Sequence, residues 1–227
     1  YTIEELNTKP EVIYFNLTPE QPMTNQNLEC SFIITDNEQD ILYVNYTWYK
    51  EDGSSPDSGI LTVNNNGLNK TLIASPNTQK YETWNCTIRP YDGFWYGETR
   101  SLTVTIINSP PSYIPTPVIT WPEDIVLTVD LNQIFTDPDE NDDLNFTIII
   151  LPDNITTIVD NETDELILSP NQEFNGQNII VLNVTDGEES VMSEEILLNV
   201  TSVNDAPIIT EEILDITTLQ NVAYELD

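Results

Sequence analysis

The stretch LYVNYTW, at residues 42–48, alternates large apolar side chains with Tyr, Asn or Thr. This period of two predicts a β-strand with one buried face and one exposed face. Similar short stretches occur at residues 144–148 and 198–200, turn residues separate them, and no segment sustains a period of 3.6 residues. The sequence therefore predicts an all-β chain built from β-sandwich domains.

The charge of the chain excludes two classes of partner. The 227 residues include 39 acidic and 6 basic side chains and no histidine, for a net charge of −33. Such a chain cannot assemble the basic patch that nucleic acid or an anionic membrane surface requires. We also expect no direct membrane insertion, because no apolar run approaches 18 residues, and no signal-peptide pattern opens the chain.

The acidic residues are unevenly distributed along the chain. Residues 1–117 contain all six Lys and Arg side chains together with 14 acidic ones, whereas residues 118–227 contain 25 acidic side chains and no basic one. Carboxylates in the second half therefore cannot pair with a cation from their own half. They either stay solvated or recruit a hard cation such as Ca²⁺.

An internal repeat indicates the size of one domain. The sequence PVIT at residues 117–120 returns as PIIT at residues 207–210, which is 90 residues later. Each copy follows a strand-like stretch that runs into a linker containing proline. A period of about 90 residues is typical of one β-sandwich.

Cys30 and Cys86 are the only cysteines, and both lie in strand-like contexts. Two cysteines within one domain suggest a single disulfide, with two buried free thiols as the alternative. With Trp48 between them, they resemble the Cys…Trp…Cys pattern of the immunoglobulin fold. The resemblance implies a bridge between two sheets with the indole packed on it, and Trp84 stands where that fold has a tyrosine. A disulfide implies an extracellular location.

Acidic turn motifs recur between residues 118 and 207. They are PED at 122–124, DPDEND at 137–142, DG at 186–187 and VNDAP at 203–207. This set resembles the cadherin-like repeats of large prokaryotic surface proteins, and the acid excess suggests an archaeal source. The resemblance implies that carboxylates bind Ca²⁺ at a domain junction, and it assigns that role to Glu123, Asp137, Asp139, Asp186 and Asp205. The alternative is solvated acids, since Asp at a turn start bonds its own backbone.

These patterns together predict tandem immunoglobulin-like/cadherin-like β-sandwich domains. We expect residues 10–109 to form an immunoglobulin-like sandwich, residues 110–117 a Pro-rich linker and residues 118–207 a cadherin-like sandwich. Residues 1–9 are interpreted as the last strand and linker of a preceding domain, and residues 208–227 as the first strands of an incomplete third domain. For either end, a strand donated to another subunit is the alternative.

Asn-X-Thr glycosylation sequons are more frequent than chance predicts, and strand alternation turns several of their Asn side chains outward. N-linked glycans are therefore predicted, with an Asn- and Thr-rich polar surface as the alternative. The candidate acceptors are Asn16, Asn45, Asn69, Asn85, Asn145, Asn154, Asn161, Asn183 and Asn199.

The residues favour a structural role over catalysis. The chain lacks histidine, a Gly-rich phosphate loop and a zinc ligand set, so we expect no enzyme. The predicted function is a structural component of an extracellular stalk, sheath, filament or surface layer, whose partners are other copies or neighbouring repeats. No cofactor beyond Ca²⁺ and glycans is expected. The alternative is an adhesin module for a glycan or a partner cell, carried by the aromatic run at residues 91–96.

Overall fold

The computed structural model describes residues 7–207, which form two β-sandwich domains. The segments interpreted as donated or incomplete elements, residues 1–6 and 208–227, lie outside the described residues. Apart from two single-turn 3₁₀ helices, Ser75–Asn77 and Leu131–Gln133, the regular structure of residues 7–207 is all strand. The predicted all-β fold of tandem β-sandwich domains is confirmed.

The first domain packs a three-stranded sheet on a four-stranded sheet. Its strands are β1 (Glu11–Thr18), β2 (Leu28–Thr35), β3 (Ile41–Lys50), β4 (Asp57–Asn64), β5 (Leu68–Ile73), β6 (Thr83–Tyr91) and β7 (Arg100–Thr105). The sheet orders are β1-β2-β5 and β4-β3-β6-β7, and all pairs are antiparallel. On β3, Leu42, Val44 and Trp48 are fully buried, so the alternation in the sequence marks the core face.

A disulfide joins the two sheets of the first domain. Cys30 of β2 is bonded to Cys86 of β6, with their Cα atoms 6.5 Å apart. Trp48 pairs opposite Cys86 on the neighbouring strand, and its Nε1 donates a hydrogen bond to Thr71 Oγ1 at 2.9 Å. Trp84 packs edge-on against Trp48, with 6.4 Å between ring centroids. The second indole thus extends the core at the position where the immunoglobulin fold has a tyrosine.

The second domain has its own core and no cysteine. Its strands are β8 (Ser112–Tyr113), β9 (Ile119–Pro122), β10 (Leu127–Asp130), β11 (Phe135–Thr136), β12 (Asn145–Ile150), β13 (Ile155–Asp160), β14 (Glu165–Pro170), β15 (Gly176–Thr185), β16 (Ser190–Met192) and β17 (Ile196–Thr201). One sheet has the order β10-β14-β13 and the other β12-β15-β17-β9, with β16 paired to β15. Strand β9 runs parallel to β17.

The segment between the domains differs from the predicted linker at residues 110–117. Ser112 and Tyr113 form β8, which pairs with β11, and the ring of Tyr113 lies 5.6 Å from that of Phe135. The chain therefore joins the second domain several residues earlier than the proline content indicated. A two-residue strand is too short to show an alternation pattern, so no pattern in the sequence indicates it.

Candidate functional site

The connection between the two domains is short and hydrogen-bonded to the first domain. After β7, the N–H of Ile106 donates to Glu82 O at 2.9 Å and the N–H of Ile107 donates to Pro22 O at 2.8 Å. The side chain of Ile106 is buried in the core of the first domain. The chain is thus held by the first domain as far as Ile107.

The next two residues are hydrogen-bonded to the second domain as well. Asn108 Nδ2 donates to Asp186 Oδ2 at 2.8 Å, and the N–H of Ser109 donates to Asp139 Oδ2 at 2.8 Å. Asn108, Ser109 and Asp139 are buried. Asn108 and Ser109 also bond the first domain, since Asn108 Oδ1 accepts Lys80 Nζ at 2.9 Å and Ser109 Oγ donates to Thr24 O at 3.4 Å, so these two residues are held by both domains.

The turn that carries Asp186 is fixed by its own backbone. Asp186 Oδ1 accepts the N–H groups of Glu188 at 2.7 Å and Glu189 at 2.6 Å. Gly187, which follows Asp186 in the turn, has a φ of 94°. This φ lies in the left-handed region, which favours glycine. Burial raises the pKa of Asp186, but the amide of Asn108 and these backbone N–H groups outweigh it and hold the pKa below its ordinary value. The carboxylate therefore presents a fixed charge to the junction.

Lys80 of the first domain is the cation of this junction. Its Nζ lies 2.5 Å from Asp142 Oδ2, 2.9 Å from Asn108 Oδ1 and 3.2 Å from Glu188 Oε1, and the hydroxyl of Tyr81 also donates to Glu188. Burial by itself lowers the pKa of Lys80, but the hydrogen bonds to Asp142 and Glu188 outweigh it and raise the pKa above its ordinary value. Lys80 thus supplies the positive charge that the sequence of the second domain lacks.

Three carboxylates cluster beside this lysine. Asp137, Asp142 and Asp186 each bring one oxygen within 4.8 Å of the others. Burial raises the pKa of Asp137. The hydrogen bond from the backbone N–H of Asp139 opposes this rise, whereas the negative charges of nearby carboxylates, that of Asp139 first, add to it. Asp137 Oδ2 and Asp139 Oδ1 are buried and have no hydrogen-bond partner within residues 7–207. Such oxygen atoms suit a hard cation chemically.

The five residues assigned to Ca²⁺ by resemblance do not come together at one place. Asp137, Asp139 and Asp186 lie at the N-terminal end of the second domain. Glu123 and Asp205 lie near its C-terminal end, because Glu123 follows β9, which pairs with the end of β17. The ten residues of β15 span the distance between the two ends, roughly 30 Å at 3.3 Å per residue.

The acidic group at the C-terminal end of the second domain has its own contacts. Glu123 is buried, its Oε1 accepts the N–H of Val203 at 2.7 Å, and its Oε2 accepts Asn175 Nδ2 at 3.2 Å. The negative charge of Asp205 raises the pKa of Glu173 above its ordinary value. Glu123 therefore holds the chain where it leaves the domain.

Sequence reasoning missed Lys80, Asn108 and Asp142. Asp142 was within the quoted acidic segment but carried no assigned role. The available signal for Asn108 is the phrase Asn, two residues, then Pro, which occurs at the ends of the domains at residues 7–10, 108–111 and 204–207 and once more at residues 16–19. Lys80 and Asp142 are 62 residues apart, and no local pattern connects them.

The aromatic run at residues 91–96 divides into two parts. Tyr91 stacks on Tyr96 with 4.5 Å between ring centroids, and the guanidinium of Arg89 lies 4.4 Å from the Tyr96 centroid. Phe94 is 70% exposed and Trp95 is 55% exposed. The turn therefore places two large rings in solvent at the N-terminal end of the first domain.

None of the nine sequon asparagines is buried. Asn145, Asn154 and Asn161 are exposed and the other six are half-buried. Some of the amides are engaged: Asn85 Nδ2 donates to Thr103 Oγ1 at 2.8 Å, whereas no such bond occupies Asn145 among the described residues. The acceptor positions therefore differ in how free their amide nitrogen is.

Residues 107–201 match the family model of the cadherin-like domain. The second domain is cadherin-like. No curated protein sequence matches the chain. Within residues 7–207, no helix is long and apolar enough to cross a membrane.

Solved structures that resemble the chain include the following three. An endo-fucoidan hydrolase from glycoside hydrolase family 107 is 18% identical over 90% of this chain and 30% of that chain, with a TM-score of 0.34. The FN1–FN3 domains of chicken CNTN1 are 11% identical over 87% of this chain and 68% of that chain, with a TM-score of 0.36. The N-terminal eight Ig domains of the Down Syndrome Cell Adhesion Molecule are 12% identical over 86% of this chain and 25% of that chain, with a TM-score of 0.38. The chain thus spans 30% of the length of the hydrolase and 25% of the eight-domain structure.

Proposed function

We propose that the chain is a stiff segment of an extracellular surface assembly such as a stalk, sheath, filament or surface layer. The observation that carries this proposal is the junction, where the link is hydrogen-bonded to the first domain at Ile107 and to both domains at Asn108 and Ser109. Lys80 adds an ion pair across the same boundary. A module that sets distance needs such a joint, because a free linker would let its domains reorient.

Residual dipolar couplings measured by NMR test this proposal on residues 7–207. A stiff junction gives one alignment tensor for both domains. Lys80→Met should separate the two tensors, whereas Lys70→Met should not, because Lys70 pairs with Glu29 on the surface of the first domain. Separate tensors in the unsubstituted chain would refute the structural role.

A divalent cation at the same junction is a second element of the proposal. It is supported by the three clustered carboxylates and by the buried oxygens of Asp137 and Asp139 that lack partners among the described residues. Because Lys80 already contacts Asp142, an ion and the lysine compete for that carboxylate. Calcium would add positive charge to the acidic side of the junction and strengthen it.

Calcium titration followed by calorimetry tests this element. We expect binding to weaken strongly in Asp137→Asn. Asp130→Asn is the matched control, because Asp130 also accepts a backbone N–H two residues on, from Asn132, but lies in an exposed turn. Equal affinity in both variants would place any bound calcium elsewhere.

Glycosylation of the exposed strands is the third element. Asn145 and Asn154 are exposed, whereas the amide of Asn85 is bonded to Thr103. Glycopeptide mass spectrometry of the natively expressed protein should therefore find higher occupancy at Asn145 and Asn154 than at Asn85. Unmodified peptides at all three positions would remove glycans from the proposal.

An adhesin module is the alternative function, and the exposed rings of Phe94 and Trp95 favour it. Aromatic rings in solvent can stack on the faces of sugars or pack on a protein partner. Binding to a panel of immobilised oligosaccharides, lost in Trp95→Ala and kept in Tyr14→Ala on the opposite sheet, would support this function. A panel with no bound member would count against glycan recognition.

A further inference from the structure

The N-terminal end of the first domain repeats the contacts by which the second domain holds the link. In the second domain, Asn108 Nδ2 donates to Asp186 Oδ2 at 2.8 Å. In the first domain, Asn7 Nδ2 donates to Asp92 Oδ2, also at 2.8 Å. In both cases the asparagine begins the phrase Asn, two residues, Pro. The same amide-to-carboxylate contact thus occurs at the start of each domain.

The backbone contact of the next residue is repeated as well. The N–H of Ser109 donates to Asp139 Oδ2 at 2.8 Å, and the N–H of Thr8 donates to Glu38 Oε2 at 3.0 Å. Donor and acceptor are 30 residues apart in both cases. In the same loops, a second acid accepts a backbone N–H through Oδ1 and keeps a buried Oδ2 without a partner among residues 7–207; these acids are Asp36 and Asp137.

The two Asp-Gly turns have the same hydrogen bonds. Asp92 Oδ1 accepts the N–H groups of Phe94 at 2.6 Å and Trp95 at 2.5 Å, as Asp186 Oδ1 does from the corresponding residues of its own turn. In each turn the aspartate N–H also donates to the carbonyl three residues on, at 3.3 Å. Phe94 therefore occupies the position that Glu188 occupies in the second domain.

The residue at this position is the one that reaches the preceding domain. Glu188 accepts hydrogen bonds from Lys80 and Tyr81 of the first domain. Its counterpart Phe94 contacts no such partner within residues 7–207 and is largely exposed, as is the neighbouring Trp95. The first domain thus has the complete receiving half of a junction, with rings where the second domain has carboxylates.

We propose that the N-terminal end of the first domain is the docking face for a further β-sandwich domain, which sits on it as the first domain sits on the second. Phe94 and Trp95 would pack on that domain in place of the ion pairs made by Lys80. Rings accept apolar side chains or the cation of a lysine or arginine, and they disfavour a carboxylate. This inference rests on the proposed function of the chain as a stiff tandem segment.

The polar groups around the rings favour a domain over a sugar. Asp92 of the turn and Glu38 of the acidic loop already accept hydrogen bonds from Asn7 and Thr8. A sugar stacked on Trp95 would need such groups to hold its hydroxyls. The link residues instead direct the chain across this end of the domain, as they do at the junction between the two domains.

A fusion tests the docking face. A second copy of residues 7–107 is placed ahead of residues 7–207, so that Ile107 is followed by Asn7 as it is naturally followed by Asn108. The leading copy carries Trp95→Phe, which leaves one Trp95, at the new joint. The fusion and residues 7–207 alone are both labelled with 5-fluorotryptophan. The ¹⁹F NMR signal of Trp95 is assigned as the one that disappears when the trailing copy also carries Trp95→Phe.

The expected result is the loss of the H₂O/D₂O solvent isotope shift of Trp95 in the fusion, while this shift persists in residues 7–207 alone. The buried Trp48 and Trp84 serve as internal references. A Trp95 shift that remains unchanged in the fusion would overturn the inference, even where the dipolar couplings show a stiff junction between the two domains. A Trp95 signal moved by chitohexaose or another oligosaccharide, in the fusion as well as in the shorter chain, would overturn it in favour of sugar recognition.

Discussion

Replacing Lys80 with methionine removes the ammonium group at the junction and keeps most of the side chain's volume. The side chain of Lys80 is 14% exposed and that of Asp142 is 10% exposed, so the pair is largely withdrawn from water. Removing one partner of a buried pair costs about 3–5 kcal/mol, because the other charge is left uncompensated. Since both side chains keep some solvent contact, we expect a loss of about 3 kcal/mol in the free energy of unfolding.

Calorimetry measures this loss and shows how it is distributed. For a cooperative unit of this size, about 3 kcal/mol corresponds to a fall in Tm of roughly 6–12 °C. Lys80→Met should also divide one coupled transition into two, because the two cores share no residue. Lys70→Met is the matched control: the side chain of Lys70 is 65% exposed, and such a pair with Glu29 contributes about 0–1 kcal/mol.

A double-mutant cycle separates the ion pair from other effects of the substitution. Once Lys80 is methionine, Asp142→Asn removes a carboxylate that has no partner, so its cost should be much smaller than in the unsubstituted chain. Equal losses for Lys80→Met and Lys70→Met would refute the reasoning. So would strict additivity of the Lys80 and Asp142 substitutions.

Three further predictions concern the first domain. Cys30→Ala with Cys86→Ala opens a loop of 56 residues and should cost about 4 kcal/mol in chemical denaturation, as measured against the oxidised protein. Gly97→Ala places a Cβ against the carbonyl oxygen of Pro10, a backbone atom, and overpacking of this kind costs about 1–3 kcal/mol, observable as a lower Tm. Burial raises the pKa of Asp92, but the hydrogen bonds that its carboxylate accepts outweigh burial and hold the pKa below its ordinary value of 3.8. The charged form of Asp92 therefore stabilises the fold above pH 3.8. The difference in the free energy of unfolding between the unsubstituted chain and Asp92→Asn should shrink as the pH falls below 3.8.

The parts of the fold that could be predicted depend on local patterns. The alternation at residues 42–48 identified β3, because a half-buried strand must place every second side chain in the core. Cys30, Trp48 and Cys86 lie in the same arrangement that their resemblance to the immunoglobulin fold implied. These features follow from single strands or from pairs of strands.

The junction could not be predicted in the same way, because it depends on which loops meet. The DPDEND segment and Asp186 come from different turns, and Lys80 comes from the other domain. The resemblance to cadherin-like repeats named acids of the right kind but grouped Glu123 with Asp137, which lie at opposite ends of one sandwich. Motif order along a chain does not tell which end of a domain a turn occupies.

The two receiving ends show how one scaffold can carry different contact chemistry. The amide contacts of Asn7 and Asn108 are both 2.8 Å long, and the backbone contacts of the next residue are 3.0 and 2.8 Å, so the geometry of the joint is set by the link and the two acidic loops. The residue two places after the turn aspartate is Glu188 in the second domain, where it contacts the neighbouring domain, and Phe94 in the first, where we propose that it does so. A chain with a net charge of −33 can therefore form one junction through Lys80 and, as we propose, a second junction through aromatic rings that needs no cation. Salt should therefore weaken the ionic junction mainly through the Lys80–Glu188 pair, because the side chain of Glu188 is 44% exposed and that of Asp142 only 10%, whereas a junction through aromatic rings should hold its strength under the same conditions.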